Sequence, residues 1–241
     1  MNRKIQYAAV SDVGCVRNNN EDMAYVAGKL VRDGIVAGET DCNGCVGFAV
    51  ADGMGGYEGG EIASEIVCRS FASFIKSFRH DNMTPVVDHI KKWAKNANKL
   101  VYESAALRPE LSEMGTTFIA LIFFADKLYL LNVGDSRCYR IRSGILKQLS
   151  TDHSERQRTG NPEVPSNLIY NFMGLPSKEF FSDVIELTPI DGDRYILCSD
   201  GLSDLVDEDC IESDSDKAET LVSVAKKNGG RDNITVIKIE L

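Results

Sequence analysis

The sequence predicts an α+β fold: a sandwich of two mainly antiparallel β-sheets packed together and flanked by α-helices on the outside. Three observations carry this reading. Apolar runs of strand length far outnumber helical stretches. Most of those runs are separated by only the few residues of a hairpin turn. The two long helical stretches follow one another and sit between groups of strands, the ordering of an α+β chain.

Residues 5–13 read as a first strand, and residues 23–31 and 45–51 as two more. The Gly-rich polar stretch RDGIVAGETDCNGC between the last two reads as a loop. A helix is predicted over residues 58–78, because Ile62, Ile66, Val67, Phe71, Phe74, Ile75 and Phe78 recur on one face at helical spacing. A second helix is predicted from Thr84–Pro85, a good N-cap followed by Pro at the first helical position. Its apolar stripe is Val86, Ile90, Trp93, Ala97, Leu100 and Val101, while Asn98 and Lys99 read as solvated surface. From Gly115 the texture is that of a β meander, with strands over 116–124, 127–133, 138–141 and 145–149 and tight turns at Ala125–Asp126 and Ser143–Gly144. Residues 150–175 lack periodicity and contain Pro162 and Pro165; long irregular segments of this kind are often functional. Strands follow at 182–187 and 194–198, then a helix at 218–227 and a last strand at 234–240.

The length of 241 residues fits a single domain, 1–241, since sandwich-type folds often reach that size as one unit. A hydrophobic content of 43% suffices for a sizeable core. The net charge of −9 disfavours nucleic acid as a partner, because the footprint of such binding is basic. No apolar run reaches the ~18 residues of a membrane span, and the N-terminus lacks a signal-peptide pattern, so a cytoplasmic chain with no membrane partner is expected. Cys68, Cys138 and Cys198 fall within apolar patterns and read as reduced core thiols. Cys42 and Cys45 have the spacing of half a zinc site, but no second pair completes it, and they read as reduced loop thiols.

Five short segments place acidic residues where folding alone does not require them. They are RNNNED (17–22), ADGMGG (51–56), VGDSR (133–137), SDGLSD (199–204) and RDN (231–233). An Asp at a strand end followed by Gly leaves its carboxylate in a turn that a cation can approach closely. Carboxylates from separate segments stay together if a divalent cation holds them. Taken singly, Asp52 and Asp200 could be turn residues and Asp232 an ordinary loop residue leading into a strand. Their shared geometry points instead to a site built from oxygen ligands, and such a set suits hard cations and argues against zinc. Arg17, four residues before Glu21, adds a planar fork that binds two phosphate oxygens at once.

The chain resembles the metal-dependent serine/threonine protein phosphatases of the protein phosphatase 2C family in their compact bacterial form. The motifs that carry the resemblance run in the family's order from Ser11 to Ile239: SDVGCVRNNNED, AVADGMGGYEGGEIAS, MGTTFIALIF, LYLLNVGDSRCYRI, LSTDHS, LCSDGLSDLV and RDNITVIKI. The resemblance implies two core Mn2+ or Mg2+ ions bridged by Asp52. The first ion would also take the Gly53 carbonyl and reach Glu21 through water, and the second would take Asp200 and Asp232. It implies that Asp22 stands close behind these ligands, that Asp135 helps hold a weaker third ion, and that Arg17 binds phosphate. The bland alternative for Asp135 is that it caps its turn and braces Arg137. Two departures stand out. Met54 occupies the place of a His found in animal members, and residues 154–172, matching the family's flap, look shorter than usual. His153 reads as structural rather than as a replacement acid.

The expected function is Mn2+- or Mg2+-dependent hydrolysis of phosphoserine and phosphothreonine in proteins by a metal-activated water. Catalysis would rest on Arg17, Asp52, Asp200 and Asp232. Expected partners are phosphorylated substrates of a cognate Ser/Thr kinase, with the enzyme a monomer. The alternatives are a non-catalytic phosphoprotein-binding or sensor module on the same scaffold and a metal-dependent nuclease or nucleotide hydrolase. A phosphatase assay with and without Mn2+ separates the first, and an assay on nucleic acid the second.

Overall fold

The computed structural model describes residues 4–55, 59–79, 83–213 and 217–241. The chain opens with strands β1 (Lys4–Asp12), β2 (Met23–Val26), β3 (Lys29–Val31), β4 (Gly34–Asp41), β5 (Cys45–Ala51) and the short β6 (Gly53–Met54). Helices α1 (Gly59–Ser77) and α2 (Val86–Ala106) follow. A second group of strands comprises β7 (Gly115–Thr116), β8 (Phe118–Phe124), β9 (Lys127–Val133), β10 (Arg137–Arg142) and β11 (Ile145–Gln148). After the short α3 (Glu155–Thr159) come β12 (Asp183–Leu187), β13 (Arg194–Cys198), the helices α4 (Asp200–Ser203), α5 (Glu208–Ser213) and α6 (Ala218–Lys227), and the closing strand β14 (Ile234–Glu240).

Two six-stranded sheets form, in the orders β11-β10-β13-β14-β1-β4 and β12-β9-β8-β5-β2-β3, with β6 and β7 paired separately. The described ladders are antiparallel. The alternation of side chains across a strand explains the layering. In β5, Phe48 and Val50 face the space between the sheets, where they meet Ile5, Ala9, Ile119, Leu121, Tyr195 and Ile237. Ala49 and Ala51 face the opposite way, toward α1 and α2. Because both faces are covered, this strand reads as a continuous apolar run rather than an alternating one. A third apolar cluster seats α6 on the outer face of the other sheet through Leu221, Val222 and Ala225 against Val10, Ile196 and Val236. The expected sandwich with outer helices is the observed architecture.

Several local expectations need correction. The single strand expected at 23–31 is a hairpin, since Ala27 (φ 46°) and Gly28 (φ 100°) supply the positive φ pair of a tight turn. The polar stretch expected as a loop contains β4, an edge strand paired residue for residue with β1. Its low hydrophobicity follows from that exposed position. Its Gly38 lies opposite Tyr7, whose ring covers the place of the missing side chain. The first helix is described from Gly59, and its expected start at residue 58 lies outside the described residues. In α2, Pro85 occupies the cap position itself, where it offers no side-chain cap bond. Leu100 leaves the expected stripe and is half exposed, whereas Asn98, expected on the surface, is buried. Its amide donates to the Leu175 carbonyl (2.9 Å) and its side-chain oxygen accepts from the Gly174 amide (2.8 Å). It thereby pins the end of the irregular segment to the helix. That segment does contain one short helix, α3, capped by the Ser154 hydroxyl and ended by Gly160 in the left-handed region.

Phe71 of α1 is fully buried, with its ring 5.2–5.3 Å from those of Tyr25, Trp93 and Phe118. Truncating a buried aromatic costs about 3–5 kcal/mol, so Phe71→Ala should lower Tm by roughly 10 °C in thermal denaturation. A shift of only about 1 °C would show that this cluster does not hold the helices to the sheet.

Candidate active site

The register of the two sheets brings five chain segments to one edge of the sandwich. Asp12 of β1 pairs with Ile234 of β14, and Cys198 of β13 pairs with Val236. Residues 13–22, Asp200 and Asp232 therefore leave their strands on the same side. In the other sheet Met23 pairs with Ala51, which sets Asp22 next to Asp52. Phe118 pairs with Val133, which brings Asp135 to the same edge. Arg17, Glu21, Asp52, Gly53, Asp135, Asp200 and Asp232 together line one cavity of about 250 Å³.

Hydrogen bonds behind the cavity hold these segments in place. The Asp52 amide donates to Thr117 Oγ1 (3.1 Å), and its carbonyl accepts from the Thr117 amide (2.9 Å) and Thr116 Oγ1 (2.8 Å). Ser199 Oγ donates to Asp22 Oδ2 (2.8 Å) and accepts from the Thr235 amide (3.0 Å). Asn233 ties residues 13–21 to β14. Its side-chain oxygen accepts from the Glu21 amide (2.8 Å), and its amide donates to the carbonyls of Val13 (3.0 Å) and Asn19 (2.9 Å). Ser64 of α1 donates to the Glu21 carbonyl (2.6 Å). Glycine is needed where α1 meets the turn. A Cβ on Gly60 would lie 2.7 Å from the Gly53 carbonyl carbon and 2.9 Å from the Glu21 carboxyl carbon. A Cβ on Gly201 would collide with the Asn233 carbonyl.

The electrostatics are those of crowded like charges. Burial, followed by the charges of Asp22, Asp200, Asp135 and Asp232, holds the Asp52 carboxyl well above the usual carboxylate range. Asp200 is pushed up to about 6 by burial and then by the charges of Asp232 and Asp204. Asp135 is pushed up to about 8 by burial and the Asp200 charge, and Asp22 to about 7 by burial. Burial also raises Glu21. The Oδ1 atom of buried Asp22 has no hydrogen-bond partner. Against these carboxyls stands the Arg17 guanidinium, paired with Asp232 at 2.7 Å.

Among the described residues no three His, Cys, Asp or Glu side chains close around one point as a finished cation cage. A divalent cation between the carboxylates would replace their mutual repulsion with attraction. The oxygen donors, their excess negative charge and the unpartnered Asp22 oxygen all fit hard divalent cations.

All the sequence-predicted site residues except Asp22 line the cavity, and Asp22 stands directly behind it. The bland alternative for Asp135 fails in one respect: Arg137 is braced by Asp152, through bonds of 2.7–3.2 Å, and not by Asp135. His153 is buried outside the cavity lining. It bonds to Asp183 (3.0 Å) through Nε2, and its Nδ1 accepts from the Gly134 amide (3.1 Å). Cys42 and Cys45 lie apart from the cavity, and burial pushes the Cys45 thiol up to about 12. Cys68, Cys138 and Cys198 are buried free thiols. Sequence reasoning missed Thr117 and the flap residues Asn167 and Ile169, which line the cavity, and Asn233 and Ser199, which brace it from behind. Asn233 and Ser199 sit beside predicted ligands, and that adjacency was the available signal.

Comparisons with known proteins agree with this geometry. A family model described as protein phosphatase 2C matches residues 22–235. The serine/threonine protein phosphatase PstP of Mycobacterium tuberculosis is 33% identical over 97% of the chain, which spans 44% of that relative's length. The serine/threonine phosphatase stp of Listeria monocytogenes is 31% identical over 95% of the chain and 93% of its own length. A crystal structure of the PstP catalytic domain in complex with two manganese ions superposes with a TM-score of 0.82, at 30% identity and 98% coverage of both chains.

Carboxyls with a raised folded-state pKa bind protons more tightly folded than unfolded. They favour the folded state below the ordinary carboxylate range, and the advantage is lost as pH rises through the folded values, about 6, 7 and 8 for Asp200, Asp22 and Asp135. In EDTA the urea midpoint should therefore fall between about pH 5 and about pH 8.5, and added Mn2+ should restore it most at the higher pH. A metal-free midpoint that rises over this interval would contradict the clustering.

Proposed function

This chain belongs to the protein phosphatase 2C family, and from that premise we propose that it hydrolyses phosphoserine and phosphothreonine in proteins with Mn2+ or Mg2+ as cofactor. The observation that carries this reading is the cavity in which Asp52, Asp200, Asp232, Asp135 and Glu21 face one guanidinium. Asp52, Asp200, Asp232 and the Gly53 carbonyl would hold two cations, with Glu21 reaching one through water. Asp135 would help hold a third, and Asp22 would orient its neighbours from behind. When bound, the cations supply the Lewis acidity that lowers the pKa of water and offsets phosphoryl charge. Arg17 presents its fork at the same cavity wall, where it can hold two phosphoryl oxygens in line for attack. Thr116 and Thr117 hold the Asp52 backbone, and Ser199 holds Asp22, so the ligand geometry is set before substrate arrives. Asn167 and Ile169 from the irregular segment form part of the cavity wall.

The proposed setting is a monomeric catalytic unit over residues 1–241 in the cytoplasm, acting on products of a cognate Ser/Thr kinase in bacterial signalling. Among the described residues no helix is long and apolar enough to cross a membrane. The net charge of −9 speaks against nucleic-acid substrates.

The test is phosphopeptide hydrolysis with Mn2+ and with EDTA. Asp200→Asn keeps the side chain's shape and removes its charge, and should cost several orders of magnitude in turnover while the fold survives. Near-normal turnover of this variant at moderate Mn2+ would refute the ligand assignment. Arg17→Ala should instead raise KM and lower kcat/KM by roughly ten- to a hundredfold, the worth of a charged bidentate contact. If Mn2+ affinity moved and KM did not, Arg17 would serve Asp232 and not the phosphate.

A further inference from the structure

Beside the cavity lies a second one of about 470 Å³, and Asn167, Asp200 and Asp232 line both. Two guanidinium groups line this second cavity, Arg156 on α3 and Arg231 just before β14. They come from segments far apart in sequence, and both are exposed. The Arg156 Nε donates to the Val164 carbonyl at 2.7 Å, which orients the side chain and leaves its four terminal N–H donors without a partner among the described residues. Arg231 likewise makes no ion pair or side-chain hydrogen bond among the described residues. Three carboxylates line the same cavity, yet neither guanidinium pairs with any of them. Asp204 is engaged by the Ser166 hydroxyl at 2.8 Å, and Asp200 and Asp232 belong to the neighbouring site. Once cations neutralise those two, the remaining balance of the second cavity is positive.

We propose that this second cavity is a docking subsite for an additional anionic group of the phosphoprotein substrate, held by Arg156 and Arg231 within a few residues of the phosphate to be removed. A guanidinium binds a carboxylate or a phosphoryl group through the same paired N–H donors, so an acidic side chain and a second phosphoryl group are both suitable sources. The shared wall with the first cavity lets one extended peptide reach both, since each extended residue advances the chain by about 3.5 Å. The inference rests on the phosphatase reading and adds a substrate preference to it.

The experiment compares kcat/KM, at low salt with Mn2+, for a neutral phosphopeptide, the same peptide with Glu scanned on either side, and the same peptide with a second phosphorylated residue scanned likewise. At one or more positions Glu should raise kcat/KM about threefold, an exposed contact, and a second phosphoryl group roughly tenfold. The preference should shrink as salt rises. In the double variant Arg156→Ala/Arg231→Ala the ratio to the neutral peptide should fall to near one. Lys at both positions should restore part of it, because charge returns without the fork. The Glu and phosphoryl arms tell which source the subsite prefers. A wild-type enzyme with no acidic preference at any position overturns the proposal, as does a preference that persists in the double Ala variant. An equal loss on neutral and acidic peptides would also overturn it, since that marks a structural role. Peptides carrying a non-hydrolysable phosphonate, followed by fluorescence anisotropy, read the same ratio without turnover. If the neutral phosphopeptide is not hydrolysed at all, the phosphatase reading fails, while the anisotropy ratio still decides the subsite.

Discussion

Carboxylates repel one another, and the hydrocarbon cores of this protein have no use for them, yet five acidic side chains line one small cavity beside a single guanidinium. The arrangement is imposed by the sheets. Antiparallel registers between β1, β14 and β13, and between β2, β5, β8 and β9, leave every acidic segment at the same edge. Three apolar clusters, one between the sheets and one under each outer helical layer, keep those registers in place. Slipping a central strand by one residue would exchange the side chains of its two faces and unmatch both packed layers, so the registers, and with them the carboxylates, are strongly held. Burial first, and the repulsion after it, raise the pKa values of Asp22, Asp52, Asp135 and Asp200, and divalent binding draws on both.

Neutral side chains translate that sheet geometry into site geometry. Asn233 spends its whole side chain on the loop that carries Arg17 and Glu21. Thr117 and Ser199 do the same for Asp52 and Asp22, so the acids need not hold themselves in place. The irregular segment after β11 is anchored in a similar way from outside the cavity. His153, Asn171 and Asn98 bond to its backbone or neighbours. The segment presents Asn167 and Ile169 to the first cavity and Arg156, Ser166 and Asn167 to the second. Chemistry and substrate choice are thereby placed on different parts of the chain: strand ends for the one, a pinned loop for the other.

The boundaries of β9, β13, β14 and α6, the apolar face of α1 and the acids at strand ends were legible in the sequence because each depends on local rules. Side-chain periodicity selects helix or strand, and Asp-Gly after an apolar run marks an exposed turn. Contact across the fold leaves a weaker trace. Strand β4 is polar because it is an edge, and only its pairing with β1 makes it a strand. Asn98 looks like helix surface until the Gly174–Leu175 backbone arrives to bury it. Asp152, and not the nearer Asp135, braces Arg137, since a β-turn and a strand decide which carboxylate the fork meets. The sequence by itself determined the two-sheet class, the acidic character of the site and the identity of its carboxylates. Tertiary structure alone decided which neutral residues hold them, and that Arg156 and Arg231 flank one cavity, because those relations depend on distances between segments that no local rule encodes.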